Sequence, residues 1–352
     1  MPWSEPPVEV RLWSVAGEAE ALALAGPGAE VHHSPEAVLA AGPDTLVIVA
    51  EGAVRTAEDL AVPGPFPARV AALLSGVKPP AVLAFARVPE GCLALGSARP
   101  VRLGRRRGAL QDLGLILDAP LPYDLLDRVR PTGPPPDPPG LDWLDLLPGD
   151  PVAALERFVT DWYADVPPAL ERTEPGAGQP EPLRAFHRVA AGRPEVYGTS
   201  LRVLAEPVPT GGALLFGQEG DGVFTLSTGS TPEGDPPVHY HGLSDQPLRE
   251  RERLSGYLLL STLARAAMDG SPGGMAFVDR AQAKRIVAPL RRVPLRPMRW
   301  PCARSRLYAG PGIVVLVGAD EADWLEVYVG ARHRSLLRRF RKLGLDWERF
   351  DG

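Results

Sequence analysis

The chain has 352 residues, 45% of them hydrophobic, and a formal net charge of −5. That length predicts two domains, each able to bury a core. The net acidity gives no global pull towards nucleic acid or membrane. Two cysteines, Cys92 and Cys302, argue against a disulfide scaffold and for reduced thiols in the cytoplasm. The opening Met-Pro-Trp-Ser-Glu-Pro-Pro has no basic region followed by an apolar core, so no signal peptide is expected.

The first half reads as alternating strands and helices. Residues 8–15 predict a strand, residues 18–25 a helix ending at Gly26-Pro27-Gly28, and residues 30–33 a short strand. Ser34-Pro35-Glu36 offers an N-cap and a proline at the first helical position, which predicts a helix up to Gly42. Residues 44–50 (DTLVIVA) and 81–85 are apolar runs, as expected of strands covered on both faces. Residues 66–74 and 109–117 predict two more helices. This order favours a smaller α/β domain over residues 1–130 with a parallel sheet, a mixed α+β arrangement being the alternative. As an alternative function, this domain would bind a nucleotide or other small ligand at the C-terminal ends of its strands, making the chain an enzyme or a ligand-gated component. There is no G-x-G-x-x-G after the first strand and no phosphate-loop motif.

Residues 131–150 are the expected linker. Six of the ten residues 131–140 (PTGPPPDPPG) are proline, which predicts a semi-rigid spacer. Residues 141–147 (LDWLDLL) predict a helical turn that packs back on one domain.

The second domain, 151–352, opens with a helix over 151–164, whose Val152, Leu155, Phe158, Val159 and Trp162 keep helical spacing. Another helix is expected at 183–190. Strands follow at 201–204, 213–216 and 223–227 around the turn Gly217–Gly222 (GQEGDG), then at 237–240. Residues 254–268 predict a strong helix. Residues 313–317 and 324–329 predict strands around an acidic turn at 320–323, and residues 334–343 a last, basic helix.

PEPLRAFHRVAAGRP, LLFGQEGDGVFTLST, DPPVHY and RLSGYLLLSTLARAA, in that order after an opening helix, resemble the SUKH superfamily of cell-wall regulators and toxin-immunity proteins. The likeness covers roughly residues 151–352. It continues through Trp300-Pro301, Tyr308-Ala309-Gly310 and the Val329–Arg332 turn, as in the actinobacterial branch. Where that family has a Glu-Asn-Gln type segment, this chain has Gln218-Glu219-Gly220-Asp221. The resemblance implies an α+β fold, a mixed sheet backed by helices, and a non-enzymatic protein-binding module, an immunity protein neutralising a toxin being the most specific form. No cofactor is expected. A scaffold role in a larger assembly is a further alternative.

His239 and His241 flank Tyr240 on one strand and, with Asp235, are the best metal candidates, but a third His or Cys at useful spacing is missing. His32 and His33 are expected on opposite faces of a strand. Glu219 and Asp221 sit in a glycine-rich turn with too few oxygen ligands for calcium. Two basic clusters stand out, residues 102–107 (RLGRRR) and 332–342 (RHRSLLRRFRK), the second amphipathic through Leu336, Leu337 and Phe340. The partner-binding candidates are therefore Glu219, Asp221, Asp235, Tyr240, Arg334, Arg338 and Arg341, with Glu219, Asp221 and Tyr240 expected on one rim. The expected partner is a protein; membrane is excluded and nucleic acid disfavoured.

Overall fold

Apolar runs flanked by Gly and Pro become strands more often than that reading expects. The computed structural model describes residues 10–76, 78–130, 137–166, 178–191, 193–232, 234–319 and 324–352. The chain divides into two compact units, Met1–Gly133 and Pro134–Gly352.

The first unit holds β1 (Val15–Ala16), α1 (Glu18–Ala23), β2 (Glu30–Ser34), β3 (Ala37–Ala41), β4 (Thr45–Ala50) and β5 (Asp59–Pro63). It continues with α2 (Ala68–Ser75), β6 (Ala81–Val88), β7 (Gly91–Arg106), β8 (Ala109–Leu117) and α3 (Tyr123–Val129). Its sheet runs β2-β3-β4-β6-β7-β8-β5, with β1 added to β7. Among the described residues only β4 and β6 pair in parallel; the other pairs are antiparallel. The expected parallel α/β sheet is therefore corrected to a mixed, mainly antiparallel one. The long β7 pairs with β6 through its first half and with β8 through its second.

Two predicted helices of this unit are strands. Ser34 and Ala37 are register partners, so Pro35 and Glu36 form a two-residue hairpin loop and not a helix start. The Ser34 hydroxyl donates to Ala37 O at 3.1 Å. All five residues of β3 are buried, which suits a strand covered on both faces. Residues 109–117 form the return strand of a hairpin whose loop is Arg107-Gly108. Both loop residues have positive φ, 51° and 83°, as a twisted two-residue hairpin turn requires.

The second unit begins inside the expected linker. Residues 131–136 lie outside the described residues, but those that follow pack onto this unit. Gly312 N donates to Pro139 O, and α4 (Asp142–Leu146) buries Trp143 and Leu144. Then come α5 (Pro151–Trp162), α6 (Glu181–Ala190), α7 (Pro194–Tyr197), β9 (Leu201–Thr210), β10 (Ala213–Glu219), β11 (Thr225–Gly229), β12 (Pro237–His241) and β13 (Leu248–Arg253). The helix α8 (Leu254–Met268) precedes β14 (Gly273–Val278), α9 (Arg280–Val287), β15 (Arg291–Arg292), β16 (Arg304–Gly310), β17 (Ile313–Ala319) and β18 (Leu325–Ala331). A 3-10 turn (Arg334–Leu337), α10 (Arg338–Arg341) and β19 (Trp347–Phe350) close the chain.

In place of one mixed sheet, this unit has two antiparallel sheets, β13-β12-β11-β10-β9 and β15-β16-β17-β18-β14-β19. The helix α8 is buried on every side except at Met268, and it is apolar around most of its circumference, with Ser255, Ser261, Thr262 and Arg265 as its buried polar residues. It shares one hydrophobic core with α5, α6 and strands of both sheets. Helix starts are built as local chemistry dictates. Asp150 accepts from Val152 N and Ala153 N at the head of α5, and Asp279 accepts from Gln282 N at the head of α9. The predicted basic helix over 334–343 is shorter, a 3-10 turn followed by one α turn, and it ends at Gly344 with φ of 61°. The acidic turn expected at 320–323 lies outside the described residues.

Candidate functional site

The acidic hairpin closes on itself. The Glu219 carboxylate accepts from Asp221 N at 2.8 Å and Val223 N at 3.2 Å, which fixes the turn between β10 and β11. Asp221 is exposed at its tip. Tyr240 does not share that rim. It is buried, packs edge-on against Phe224 and Tyr257, and donates its hydroxyl to Glu250 Oε2 at 2.7 Å. Asp235 caps α8, its two oxygens accepting from Ser255 N at 2.9 Å and Ser255 Oγ at 2.7 Å. Asp235 and Tyr240 are thus committed to the interior framework.

Arg334 and Arg341 are half-buried and Arg338 is exposed, on a segment docked through buried Leu337 and Phe340. Residues 102–107 lie on the first unit's hairpin, where Arg102 pairs with Asp112 and Arg105 reaches Ser75 Oγ and Gly108 O. His239 and His241 share a face of β12, and His241 Nε2 lies 2.7 Å from Ser227 Oγ. Among the described residues no group of three or more His, Cys, Asp or Glu could hold a metal ion. Gly17 precedes α1, but Glu20 Oε2 faces its N–H and Glu18 is paired with Arg87, so that turn is already filled by carboxylates. No helix among the described residues is long and apolar enough to cross a membrane.

A different basic surface emerges where β13 meets residues 291–306. Six arginines and no acidic residue lie in 291–306, and β13 (LRERER) adds three more. Tertiary hydrogen bonds strap the two segments together. Arg251 donates to Pro297 O at 2.7 Å and Ala303 O at 3.1 Å. Arg296 donates to Arg251 O at 3.0 Å and Arg299 to Arg249 O at 2.9 Å. The two glutamates of β13 point into this framework and are satisfied by backbone amides. Glu250 accepts from Arg251 N and Arg299 N, and Glu252 accepts from Arg296 N.

Along β16, Arg304 and Arg306 are exposed and alternate with buried Ser305 and Leu307. Arg292 is the register partner of Tyr308, which places it on the same sheet face as Arg304 and Arg306. Of the nine arginines, Arg291 pairs with Asp145. The other eight have no carboxylate within 4 Å among the described residues. Sequence reasoning missed this face. The signal was present, but α8, β14 and α9 separate the two segments in the chain.

The second unit also contains a cavity of about 490 Å³ where the C-terminal ends of α5 and α8 meet α7 and the end of β18. Trp162 and Tyr163 form one wall, and Arg332 lies 5.8 Å from the Trp162 ring while pairing with Asp165. Arg265 lines it at 2% exposure. Burial pushes the Arg265 guanidinium below its ordinary value and the Tyr163 hydroxyl above its own.

No family model matches the chain, and no curated protein or solved structure matches it.

Proposed function

We propose that the second unit is a non-enzymatic recognition module that binds an acidic protein surface through its arginine face. The observation that carries this reading is the set of eight arginines without carboxylate partners among the described residues, assembled from two distant segments of a chain whose net charge is −5. Like charges brought together repel, so a fold that gathers them with only two inward-pointing glutamates among them is set for an anionic partner. Guanidinium forks bind carboxylates in two-pronged fashion. Several here are already oriented by backbone carbonyls, which lowers the entropy lost on binding. The two interleaved glutamates and the acidic chain as a whole favour a protein over a nucleic acid. The resemblance of residues 151–352 to the SUKH superfamily supports a toxin as that protein and the cytoplasm as the place of encounter.

The test is affinity capture with the full chain from its native cells after nuclease treatment, beside an Arg304→Glu/Arg306→Glu variant. Both sites are exposed on β16, so neither substitution enters the core, and the variant's melting temperature is checked against the parent's. An acidic protein retained in stoichiometric amount by the parent chain and lost with the variant supports the reading. Equal capture by both, capture abolished by nuclease, or no captured protein rejects it.

A further inference from the structure

The Arg265 cavity is distinct from the arginine face and stands independently of that reading. Arg265 is among the largest of the fully buried side chains. A guanidinium has five N–H donors. Here Nη1 donates to Leu201 O at 3.2 Å and Nη2 to Thr262 Oγ1 at 2.9 Å, while Nε has no hydrogen-bond partner among the described residues. No carboxylate lies within 4 Å of it there, and the Phe186 ring is 5.8 Å away. A buried cation without a counter-ion is costly. The C-terminal end of α8 offsets about half a charge at most and accepts none of the remaining donors.

Gly198 packs directly on this group. It has φ of 83°, and a Cβ there would come within 2.0 Å of Arg265 Cδ and 2.9 Å of Nε, so only glycine lets the arginine lie buried here.

The cavity carries the opposite charge as well. Asp269 follows Arg265 by one helical turn and is exposed; Oδ1 accepts from Ser200 Oγ at 2.7 Å. Glu195 on α7 is exposed and also lines the cavity. Arg265, Arg332, Asp269 and Glu195 all line the cavity. The carbonyl ends of α5 and α8 add partial negative charge. A simple anion meets this negative side, and a simple cation meets the buried guanidinium. A molecule with both charges close together meets a complement for each, and Trp162 and Val166 supply apolar wall for the rest of it.

We infer that the cavity binds a free α-amino acid with an apolar side chain, its carboxylate on Arg265, its ammonium towards Asp269 and Glu195, and its side chain along Trp162. The carboxylate then accepts from a guanidinium whose Nε the protein leaves without a partner among the described residues.

The experiment is calorimetric titration and thermal unfolding of the full chain with L-phenylalanine and L-leucine, beside 3-phenylpropanoate and phenethylamine. These last two each keep one of the two charges. The expected result is one-to-one binding and a raised melting temperature with the amino acids, and at least about tenfold weaker binding of both single-charge analogues. Arg265→Met fills the site with an apolar side chain of similar length, which leaves folding intact or improved and abolishes binding. Asp269→Asn keeps an acceptor for Ser200 and weakens amino-acid binding about tenfold; it decides the matter should Arg265→Met not fold. Absence of any heat or melting shift at millimolar amino acid overturns the inference. So does equal binding of either analogue, or binding unchanged in Asp269→Asn.

Discussion

Glu250 is the post that fastens the arginine face to the core, and removing it tests that architecture. Its carboxylate is 3% exposed and accepts from the Tyr240 hydroxyl at 2.7 Å, Arg299 N at 3.1 Å and Arg251 N at 2.5 Å. Burial, with Tyr257 and Glu250 beside it, holds the Tyr240 hydroxyl well above its ordinary value, so it stays protonated and donates. Hydrogen bonds to a charged acceptor contribute about 1.5–3 kcal/mol each, and an orphaned buried hydroxyl costs about 1–3 kcal/mol. These terms overlap, so Glu250→Ala should destabilise the protein by about 3–5 kcal/mol. Tyr240→Phe removes one bond and leaves two, a loss of about 1–2 kcal/mol. The double variant should cost about 1–2 kcal/mol less than the sum of the two. Urea unfolding followed by tryptophan fluorescence reads this out. Five of the seven tryptophans lie in the second unit. A Glu250→Ala cost below about 1 kcal/mol, or strictly additive costs, would refute the reasoning.

Three further outcomes follow from other parts of the second unit. Trp143 is buried edge-on against Phe158 at 5.3 Å, so Trp143→Ala should cost about 3–5 kcal/mol in the same urea assay; a free spacer would show no change. Asp235→Ala removes the cap of α8 and should cost about 1 kcal/mol, with Asp235→Asn recovering much of it. His187 is buried against Phe186 and Tyr197, and burial lowers its pKa from 6.5 to about 4. The native state thus holds it neutral while the unfolded chain takes up a proton below about pH 6.5. Its contribution is complete above that pH and is lost as pH falls towards 4, with about 1 kcal/mol gone between pH 7 and 5.5. A His187→Leu variant should lose correspondingly less stability over that interval, and identical pH slopes would contradict the assignment.

How far the sequence was legible depended on the periodicity of each segment. The helices α5, α6 and α8 and the strands β10 to β12 announce themselves through long apolar patterns bounded by Pro, Gly and Asp. The strand β8 did not, because a bulge shifts its phase. Arg105 pairs with Leu110 and Gly104 with Asp112, leaving Gln111 as an inserted residue. The bulge puts Leu110 inward beside Leu113 and Leu117, a spacing that imitates a helix. At β3, the Ser-Pro-Glu chemistry suits a tight turn as well as a helix start, and five residues before Gly42-Pro43 are too few to sustain a helix. Tyr240 looked like a rim residue because its strand neighbours are polar, yet its hydroxyl is satisfied by Glu250, which only the pairing of β12 with β13 brings near. Arg265 was invisible as a special residue, since an arginine near a helix C-terminus is ordinarily a solvated one.

The central claim is that Arg304, Arg306 and their neighbours form the docking face for an acidic protein. It is tested most directly by measuring the affinity of the captured partner for the parent chain and for Arg304→Glu/Arg306→Glu, each at low and at physiological salt. The account predicts a drop of tenfold or more on charge reversal, and parent-chain binding that weakens as salt rises. Equal affinities for the two chains, or parent-chain binding indifferent to salt, would contradict it.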